Sequence, residues 1–384
     1  MDWPRPNPRP LDLVSYSFCA AHRRCPLSVA YSRDSRFSRL NRPRPVASLG
    51  NVVHSVVERV GRNQYGGIES TEPREIVKEI WDHEAAKQYK LLATSWTPAE
   101  PPSPPDWPQY ALTRTRTIRE MTPKVRLDLM ARPAPDGHRC EDQGLGPLPW
   151  RERELIDEVR RIHGTPDLVE MRGNEIWVVD IKTGAHQGEP SDEQVWQLLL
   201  YAHLVQLKTG ILPSGAAIVV PGGGEYPITV SQVDVDTVVS EAVAIKEDFN
   251  RQEVAAVNGF RGTPSETACG YCAFRLVCPS YAEACEEDWK VLNTLTGVVT
   301  SVVGEWPSLN LEVEVQGPRW RQGQSTRIVG VSWPEEVGPG RSIALSGFKS
   351  RHDWSLVRGE WESVSYVFPD QSVDDQQKEG RLRN

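Results

Sequence analysis

The sequence predicts an α/β fold followed by a smaller β-domain, and three observations lead to that prediction. Between Trp150 and Pro221, short apolar runs of strand type are interrupted by one amphipathic helix, which is typical of an α/β core. Before that region, several segments repeat apolar residues at helical spacing. After residue 290 the chain is rich in Val, Thr, Ser, Gly and Trp, with strand-like alternation. A length of 384 residues is sufficient for two domains.

The N-terminal elements are predicted to be helical. Ser15 or Ser17 can cap a helix through "YSFCAAHRRCPLSVAY", and apolar periodicity predicts further helices in "GNVVHSVVERV", in "EPREIVKEIWDHEAAKQYKLLATS" and near 109–132. The segment 97–108 contains too many prolines for regular structure, so it is predicted to be a linker, a surface loop or an insertion.

Strands are expected from Trp150 onwards. "ERELIDEV", "DLVEMR" and "EIWVVDIK" have strand patterns, and "RGN" between the last two fits a hairpin turn. "SDEQVWQLLLYAHLVQLKTG" predicts a helix with Ser191 or Asp192 as its N-cap and Gly210 as its stop. "GAAIVVP" predicts a buried strand, and "VDVDTVVSEAVAIKEDFNRQ" predicts a further helix.

The global charge gives no general attraction to nucleic acid, since the formal net charge is −8. Arginines are nevertheless concentrated in the first 45 residues, which predicts either a phosphate-facing patch or a solvated arm. No apolar run is long enough to span a bilayer and the N-terminus lacks a signal-peptide core, so a cytoplasmic protein without membrane contact is expected.

Two carboxylates and a lysine are predicted to meet at the end of one strand. Asp180 and Lys182 lie two residues apart, so their side chains project from the same face, and Asp167 begins the neighbouring strand. Carboxylate and carbonyl oxygens are the ligands that Mg²⁺ and Mn²⁺ prefer, and an ammonium can steer water and offset phosphate charge. The alternative is a surface Asp–Lys pair at a hairpin end.

The letters of this region resemble the PD-(D/E)XK nucleases. Pro166-Asp167 and Asp180-Ile181-Lys182 match the superfamily motif, and "VVDIKTG" after Gly164 resembles the RecB-like branch. That branch also places a glutamine and a tyrosine one turn apart on the next helix and a "G-x-x-x-H" upstream. The corresponding residues here are Gln197, Tyr201, Gly50 and His54.

The resemblance implies a core with a central mixed sheet flanked by helices and a divalent-metal-dependent nuclease site. It assigns Mg²⁺ or Mn²⁺ to His54, Asp167, Asp180 and the carbonyl of Ile181. It assigns catalytic or positioning roles to the two aspartates, Lys182, Gln197 and Tyr201. A further acid is expected at Glu152 or Glu154, between which the sequence does not choose, and Glu58 either supports His54 or faces solvent.

A separate signal comes from the cysteines. "CGYCAFRLVCP" clusters three of the seven, which in a reducing compartment favours metal binding over disulfides. Some RecB-like nucleases hold a 4Fe–4S cluster with such a triplet and one upstream cysteine. The resemblance therefore implies a cluster on Cys25, Cys269, Cys272 and Cys278, with zinc as the alternative. Cys19 is a weaker candidate, and Cys140 and Cys285 are expected to be outside the site.

The predicted domains are a nuclease domain at 11–288, a small OB-like or SH3-like β-barrel of about five strands at 289–368, and a disordered tail at 369–384. The candidate nucleic-acid contacts of the barrel, with packing as the alternative role, are Trp320, Arg321, Lys349, Arg351 and Trp354.

The expected function is hydrolysis of DNA phosphodiester bonds, as an exonuclease on single-stranded ends, in repair, recombination or phage defence. The alternatives are a non-catalytic nucleic-acid-binding subunit of a larger complex and a zinc-stabilised RNA-processing nuclease. Because the sequence has no Walker-type phosphate loop, a helicase or another repair or defence protein is an expected partner.

Overall fold

The structure is a computed structural model that describes seventeen stretches of the chain. They are residues 3–41, 43–95, 101–131, 148–182, 189–220, 224–254, 259–270, 272–285, 289, 294–305, 309–317, 322–331, 333, 335, 337–350, 356–358 and 364–368.

The helices of the described chain are α1 (Tyr16–Arg24), α2 (Pro26–Ser32), α3 (Pro45–Gly61), α4 (Pro73–Ser95), α5 (Tyr110–Ala131), α6 (Asp192–Thr209), α7 (Gln232–Val254), α8 (Glu266–Gly270) and α9 (Pro279–Ala284). Short 3₁₀ turns occur at Ser35–Leu40, Pro104–Asp106 and Arg275–Val277. None of the helices described is both long and apolar enough to cross a membrane.

The first seven strands are β1 (Trp150–Arg151), β2 (Leu155–Asp157), β3 (Ile162–Gly164), β4 (Leu168–Arg172), β5 (Glu175–Ile181), β6 (Gly215–Val220) and β7 (Gly224–Thr229). The C-terminal strands are β8 (Thr294–Val303), β9 (Asn310–Gly317), β10 (Ser325–Val329), β11 (Ser342–Ser346), β12 (Phe348–Ser350), β13 (Leu356–Arg358) and β14 (Val364–Val367).

The central sheet is mixed, as expected, with the order β1-β4-β5-β6-β7. Only β5 and β6 run parallel, and α6 lies in the crossover that connects them. The predicted segment "ERELIDEV" forms only the short strand β2, which pairs with β3 outside this sheet. The sequence analysis did not anticipate β7, an edge strand that contains Pro227.

Helix α6 is the central helix of the core, because residues Trp196 through Val205 are all buried. Its N-cap is Ser191, which forms a capping box with Gln194, and Gly210 ends it in the left-handed conformation. These caps fix the helix against β2, β3, β5 and β6, so the side chains on its first turns have defined positions.

The expected single helix through residues 15–32 is divided at Cys25. Ser15 caps α1, while Cys25 is extended at φ −164° and ψ 104° and Pro26 starts α2. The residue before a proline avoids the helical region, which explains the break.

Helices α3, α4 and α5 form a three-helix bundle with its own apolar core, which includes Val52, Val56, Ile80, Trp81 and Val125. All three helices were predicted. Of the proline-rich segment 97–108, the described part makes a 3₁₀ turn at Pro104–Asp106.

The C-terminal strands form one sheet in the order β12-β13-β10-β9-β8-β11-β14, antiparallel except for the β10–β13 pair. The predicted five-stranded barrel is not confirmed: within the described residues, seven strands pair in a linear order and no ladder joins β12 to β14. One face of β9 is buried and the other exposed, so the sheet has its own core. Ala344 and Phe368 also pack with Phe274 and Val277 of the cysteine segment.

Candidate active site

The β4–β5 hairpin places the two predicted aspartates next to each other. Leu168 pairs with Val179 in this antiparallel ladder, so Asp167 and Asp180 occupy the next register position and lie opposite each other. The N–H of Ile181 donates to Asp167 Oδ2 at 2.6 Å. This bond links the carboxylate of Asp167 to the backbone of β5, the strand that carries Asp180.

His54 and Glu152 join Asp167 in one group of possible metal ligands. His54 Nδ1 lies 3.4 Å from Glu152 Oε1 and 3.8 Å from Asp167 Oδ1, and the three ligand atoms lie within 4.8 Å of one another. Three different elements supply them: α3 provides His54, the residue after β1 is Glu152, and the residue before β4 is Asp167.

Glu152 is held in an unusual backbone conformation. Its φ is +46°, a left-handed value that costs a non-glycine residue on the order of 1 kcal/mol or more. Its N–H donates to the Asp167 carbonyl at 3.2 Å, so backbone pairing keeps it beside the aspartate. Glu154, the alternative acid, turns to His163 at 3.1 Å instead.

The electrostatics of the group favour a bound cation. Burial and the nearby charge of Asp180 raise the pKa of Asp167 to about 7. The hydrogen bond to Glu152 raises the pKa of His54 above its ordinary value, although burial opposes this. Asp180 is 2% exposed and its Oδ2 accepts no hydrogen bond. A divalent cation fits these residues, because it would compensate the negative charge of carboxylates that are largely removed from water.

Lys182 connects the carboxylates to α6. Its Nζ lies 2.8 Å from Asp180 Oδ2, a close ion pair without hydrogen-bond alignment, and donates to Gln197 Oε1 at 3.2 Å. Gln197 Nε2 in turn lies 3.1 Å from the Tyr201 hydroxyl, one helical turn along. Burial raises the pKa of Tyr201, so its hydroxyl stays neutral.

Gly164 has a packing role that explains its place in the motif. A Cβ at this position would lie 2.6 Å from Cε1 of Tyr201 and 3.1 Å from Leu204 Cδ1. Only glycine therefore lets α6 approach the end of β3 closely enough to place Tyr201 and Gln197.

The structure also adds to and narrows the sequence prediction. Of the two candidate acids, Glu152 lies beside His54 and Asp167, whereas Glu154 does not. The sequence could not distinguish them, because a left-handed φ and a long-range contact leave no local pattern. Glu58 pairs with Arg62 at 2.6 Å. Tyr16, which the sequence analysis missed, packs its ring on Trp196 at 5.9 Å, and burial together with Glu193 and Asp180 raises its pKa to about 12.

The four predicted cluster cysteines line one pocket. Cys25 lies between α1 and α2, Cys269 in α8, and Cys272 and Cys278 on either side of a 3₁₀ turn. Burial raises the pKa of Cys272, and it raises that of Cys278 to about 12, so these thiols stay protonated unless a bound metal stabilises the thiolates. Among the described residues, no three cysteine sulfurs lie within 4.8 Å of one another.

Two of the remaining cysteines are buried outside the pocket, and the third lies outside the described residues. Cys19 belongs to the main core, and Cys285 packs with Cys269 and Tyr281 beside the pocket. Cys140 lies outside the described residues, as do Trp320, Arg321, Arg351 and Trp354 and the side chain of Lys349.

A sequence comparison decides the family. The model of the PD-(D/E)XK nuclease superfamily matches residues 13–279. The chain belongs to this superfamily. Its members are generally metal-dependent nucleases, and the His54, Glu152 and Asp167 group is a possible metal site of that kind.

Other comparisons are less informative. No curated protein sequence matches the chain. A solved structure described as "Crystal structure of SSO0001" aligns with 59% of this chain and 95% of its own, at 14% identity and a TM-score of 0.24. A likeness at that score carries no argument about fold or function.

Proposed function

We propose that this PD-(D/E)XK protein is a divalent-metal-dependent DNA nuclease that hydrolyses phosphodiester bonds, acting as an exonuclease on single-stranded ends in repair, recombination or phage defence. The observation that carries the proposal is the convergence of His54, Glu152 and Asp167, with the buried Asp180 and Lys182 beside them. The preference for single-stranded ends and for these pathways rests on the RecB-like resemblance.

The metal site comprises His54, Glu152, Asp167 and Asp180, with the Ile181 carbonyl as the further ligand that the motif implies. A bound Mg²⁺ or Mn²⁺ supplies an acidic water and offsets the charge of the scissile phosphate. Groups of the protein do the positioning: the backbone N–H of Ile181 orients Asp167, and the Glu152 side chain orients the imidazole of His54.

Lys182 is the proposed group that orients the attacking water and stabilises the charge that develops on the phosphate. Its ammonium lies between Asp180 and Gln197, which restricts it to the carboxylate side of the site. Gln197 is the proposed positioning residue for the ammonium and for substrate, and Tyr201 fixes the orientation of the Gln197 amide.

For the cysteines we propose a 4Fe–4S cluster on Cys25, Cys269, Cys272 and Cys278. Four thiols that line one pocket support a metal site. The preference for a cluster over one zinc ion rests on the RecB-like resemblance of the cysteine pattern.

The test is cleavage of end-labelled single- and double-stranded DNA and RNA with Mg²⁺ or Mn²⁺, and with chelator. We expect metal-dependent loss of single-stranded DNA from its ends, abolished in Asp180→Ala and reduced at least about 10²-fold in Lys182→Ala. Glu154→Gln, an exposed acid two residues from Glu152, is the matched control and should cleave normally. Cleavage that survives Asp180→Ala contradicts the site. DNA binding without any cleavage favours a non-catalytic subunit.

A further inference from the structure

Helix α5 carries a stripe of exposed side chains that are not part of the active site. One face of the helix is buried in the bundle through Thr117, Ile118, Met121 and Val125. At 100° per residue, the exposed residues of the opposite side fall within an arc of about 100°. This stripe, called here the basic face of α5, consists of Leu112, Arg116, Arg119, Pro123, Arg126, Leu127 and Met130.

The basic face combines positive charge with exposed apolar groups. Leu112, Leu127 and Met130 are 51%, 66% and 80% exposed. Arg116, Arg119 and Arg126 are exposed, and none of them forms a salt bridge with a described acid, whereas Arg114 just outside the stripe pairs with Asp82 at 3.0 Å. A solvated helix face usually pairs its charges and lacks large apolar side chains, so this surface differs from an ordinary one.

The two acids of α5 offset the charge of the stripe only in part. Asp128 accepts a hydrogen bond from the Tyr65 hydroxyl at 2.8 Å on the bundle side. Glu120 is partly buried, and burial raises its pKa. The nearby positive charges of Arg119, Lys124 and Arg116 lower this pKa but do not outweigh burial. Lys124 is exposed and lies beside the stripe, which adds to its positive potential.

The bundle that carries this face is joined to the active site at both ends. It starts with α3, which carries His54, and the chain after α5 leads to β1 and Glu152. The C-terminal end of α5 lies on the same side: Asp128 contacts Tyr65, and nearby Arg62 donates to the Arg151 carbonyl at 2.6 Å. Arg126, Leu127 and Met130 are therefore at the end of the bundle that adjoins the metal ligands.

Several arginines on other surfaces are paired with acids. In the arginine-rich N-terminal region, Arg23 pairs with Glu241, and Arg36 pairs with Asp34 at 2.6 Å. In the C-terminal sheet, the two arginines whose side chains the structure describes are also paired, Arg327 with Glu312 and Arg341 with Glu335.

We propose that the basic face of α5 binds the single-stranded DNA substrate on its way to the metal site. Guanidinium groups bind phosphates and stack on base faces, and the neighbouring apolar side chains contact unstacked bases that a duplex hides. The proposal rests on the nuclease function proposed above, of which it names the substrate-binding surface.

The test compares two double variants of the full chain in binding a fluorescent 20-nucleotide single strand. Arg116→Ala/Arg119→Ala removes two exposed charges of the basic face, and Lys208→Ala/Arg251→Ala removes two exposed charges from α6 and α7 as the matched control. Alanine preserves helix propensity, and circular dichroism checks folding. Fluorescence anisotropy is measured in Ca²⁺ between 50 and 300 mM salt, with the duplex as a second ligand.

Two phosphate contacts on a single strand contribute about 1.4 to the slope of log K against log salt, so we expect the slope to fall by about that much and affinity to fall about 25-fold at 0.1 M salt. The control should change neither. An unchanged slope and affinity in Arg116→Ala/Arg119→Ala overturns the proposal, as does an equal loss in the control. If the wild type binds the duplex more tightly than the single strand, and the arginine double variant loses affinity for both, the single-strand assignment is overturned. If the wild type binds DNA through this face but does not cleave it, the nuclease function is refuted and the binding surface is retained.

Discussion

Replacement of Asp167 by asparagine should reduce the pH dependence of both stability and metal binding. Burial and Asp180 raise the pKa of Asp167 from its usual value near 4 to about 7. The folded, metal-free protein therefore keeps a proton that the unfolded chain has lost. The contribution of this proton to the free energy of unfolding is fully present below pH 4 and is lost as the pH rises towards 7. A shift of about 3 units corresponds to a loss on the order of 4 kcal/mol.

The same proton must leave when a cation binds. With its pKa raised to about 7, Asp167 is mostly protonated at pH 6, so binding of Mg²⁺ there should release a proton from this group. Titration calorimetry in buffers of different ionisation enthalpy measures the proton release, and chemical denaturation in chelator from pH 5 to 8 measures the stability slope. Both effects should become smaller in Asp167→Asn, where the raised pKa of His54 still contributes to them, and should be unchanged in Glu154→Gln. Wild-type stability that stays level or rises across this range, or metal binding at pH 6 without proton release, refutes the electrostatic argument.

Two further predictions concern the shape of the site. Gly164→Ala should lower the free energy of unfolding by about 1–3 kcal/mol and lower the cleavage rate without changing a metal ligand, because the added Cβ would displace Tyr201. Denaturation and single-turnover cleavage measure the two effects. Wild-type values for both would contradict the packing argument. Replacement of Mg²⁺ by Ca²⁺ should preserve DNA binding and abolish cleavage, because the larger ion has looser coordination; rapid cleavage in pure Ca²⁺ would show that the site does not depend on tight ligand geometry.

The sequence predicted the parts of the site that depend on local rules. Strand periodicity places Asp180 and Lys182 on one face, and the spacing of Gln197 and Tyr201 places them one turn apart on a capped helix. Both predictions of proximity are confirmed. The alternative of a surface Asp–Lys pair is wrong, because Asp180 is 2% exposed. Its strand is covered by α6 and the neighbouring strands, and such packing is a property of the whole fold.

Other features could not be predicted because they depend on contacts between distant segments. The choice of Glu152 over Glu154 follows from a left-handed residue after a two-residue strand. The number of strands in the C-terminal sheet was underestimated, since short strands such as β12 and β13 have too few residues for an alternation pattern. That sheet also shares apolar contacts with Phe274 and Val277, so removal of residues after 288 would expose core. Point variants are therefore better tests of its role than truncation.

The cysteine pocket and the active site are connected by α1, which leads to a last prediction. Tyr16 at one end of this nine-residue helix packs on Trp196, the neighbour of Gln197, and Cys25 caps the other end. Loss of the Cys25 ligand should release this end, allow Tyr16 to shift against Trp196, and disturb the contact between Gln197 and Lys182.

Cys25→Ser should therefore lower both stability and cleavage rate, although Cys25 is not a residue of the metal site. The stability loss is at most about 5 kcal/mol, the value for a cross-link that closes so long a loop. Protein purified without oxygen should be brown, and the variant should lose iron; Cys140→Ser should change neither property. A Cys25→Ser variant that loses iron and stability but keeps the full cleavage rate would mean that α1 does not couple the two sites. Stoichiometric zinc in colourless wild type would replace the proposed cluster and keep the mechanical argument.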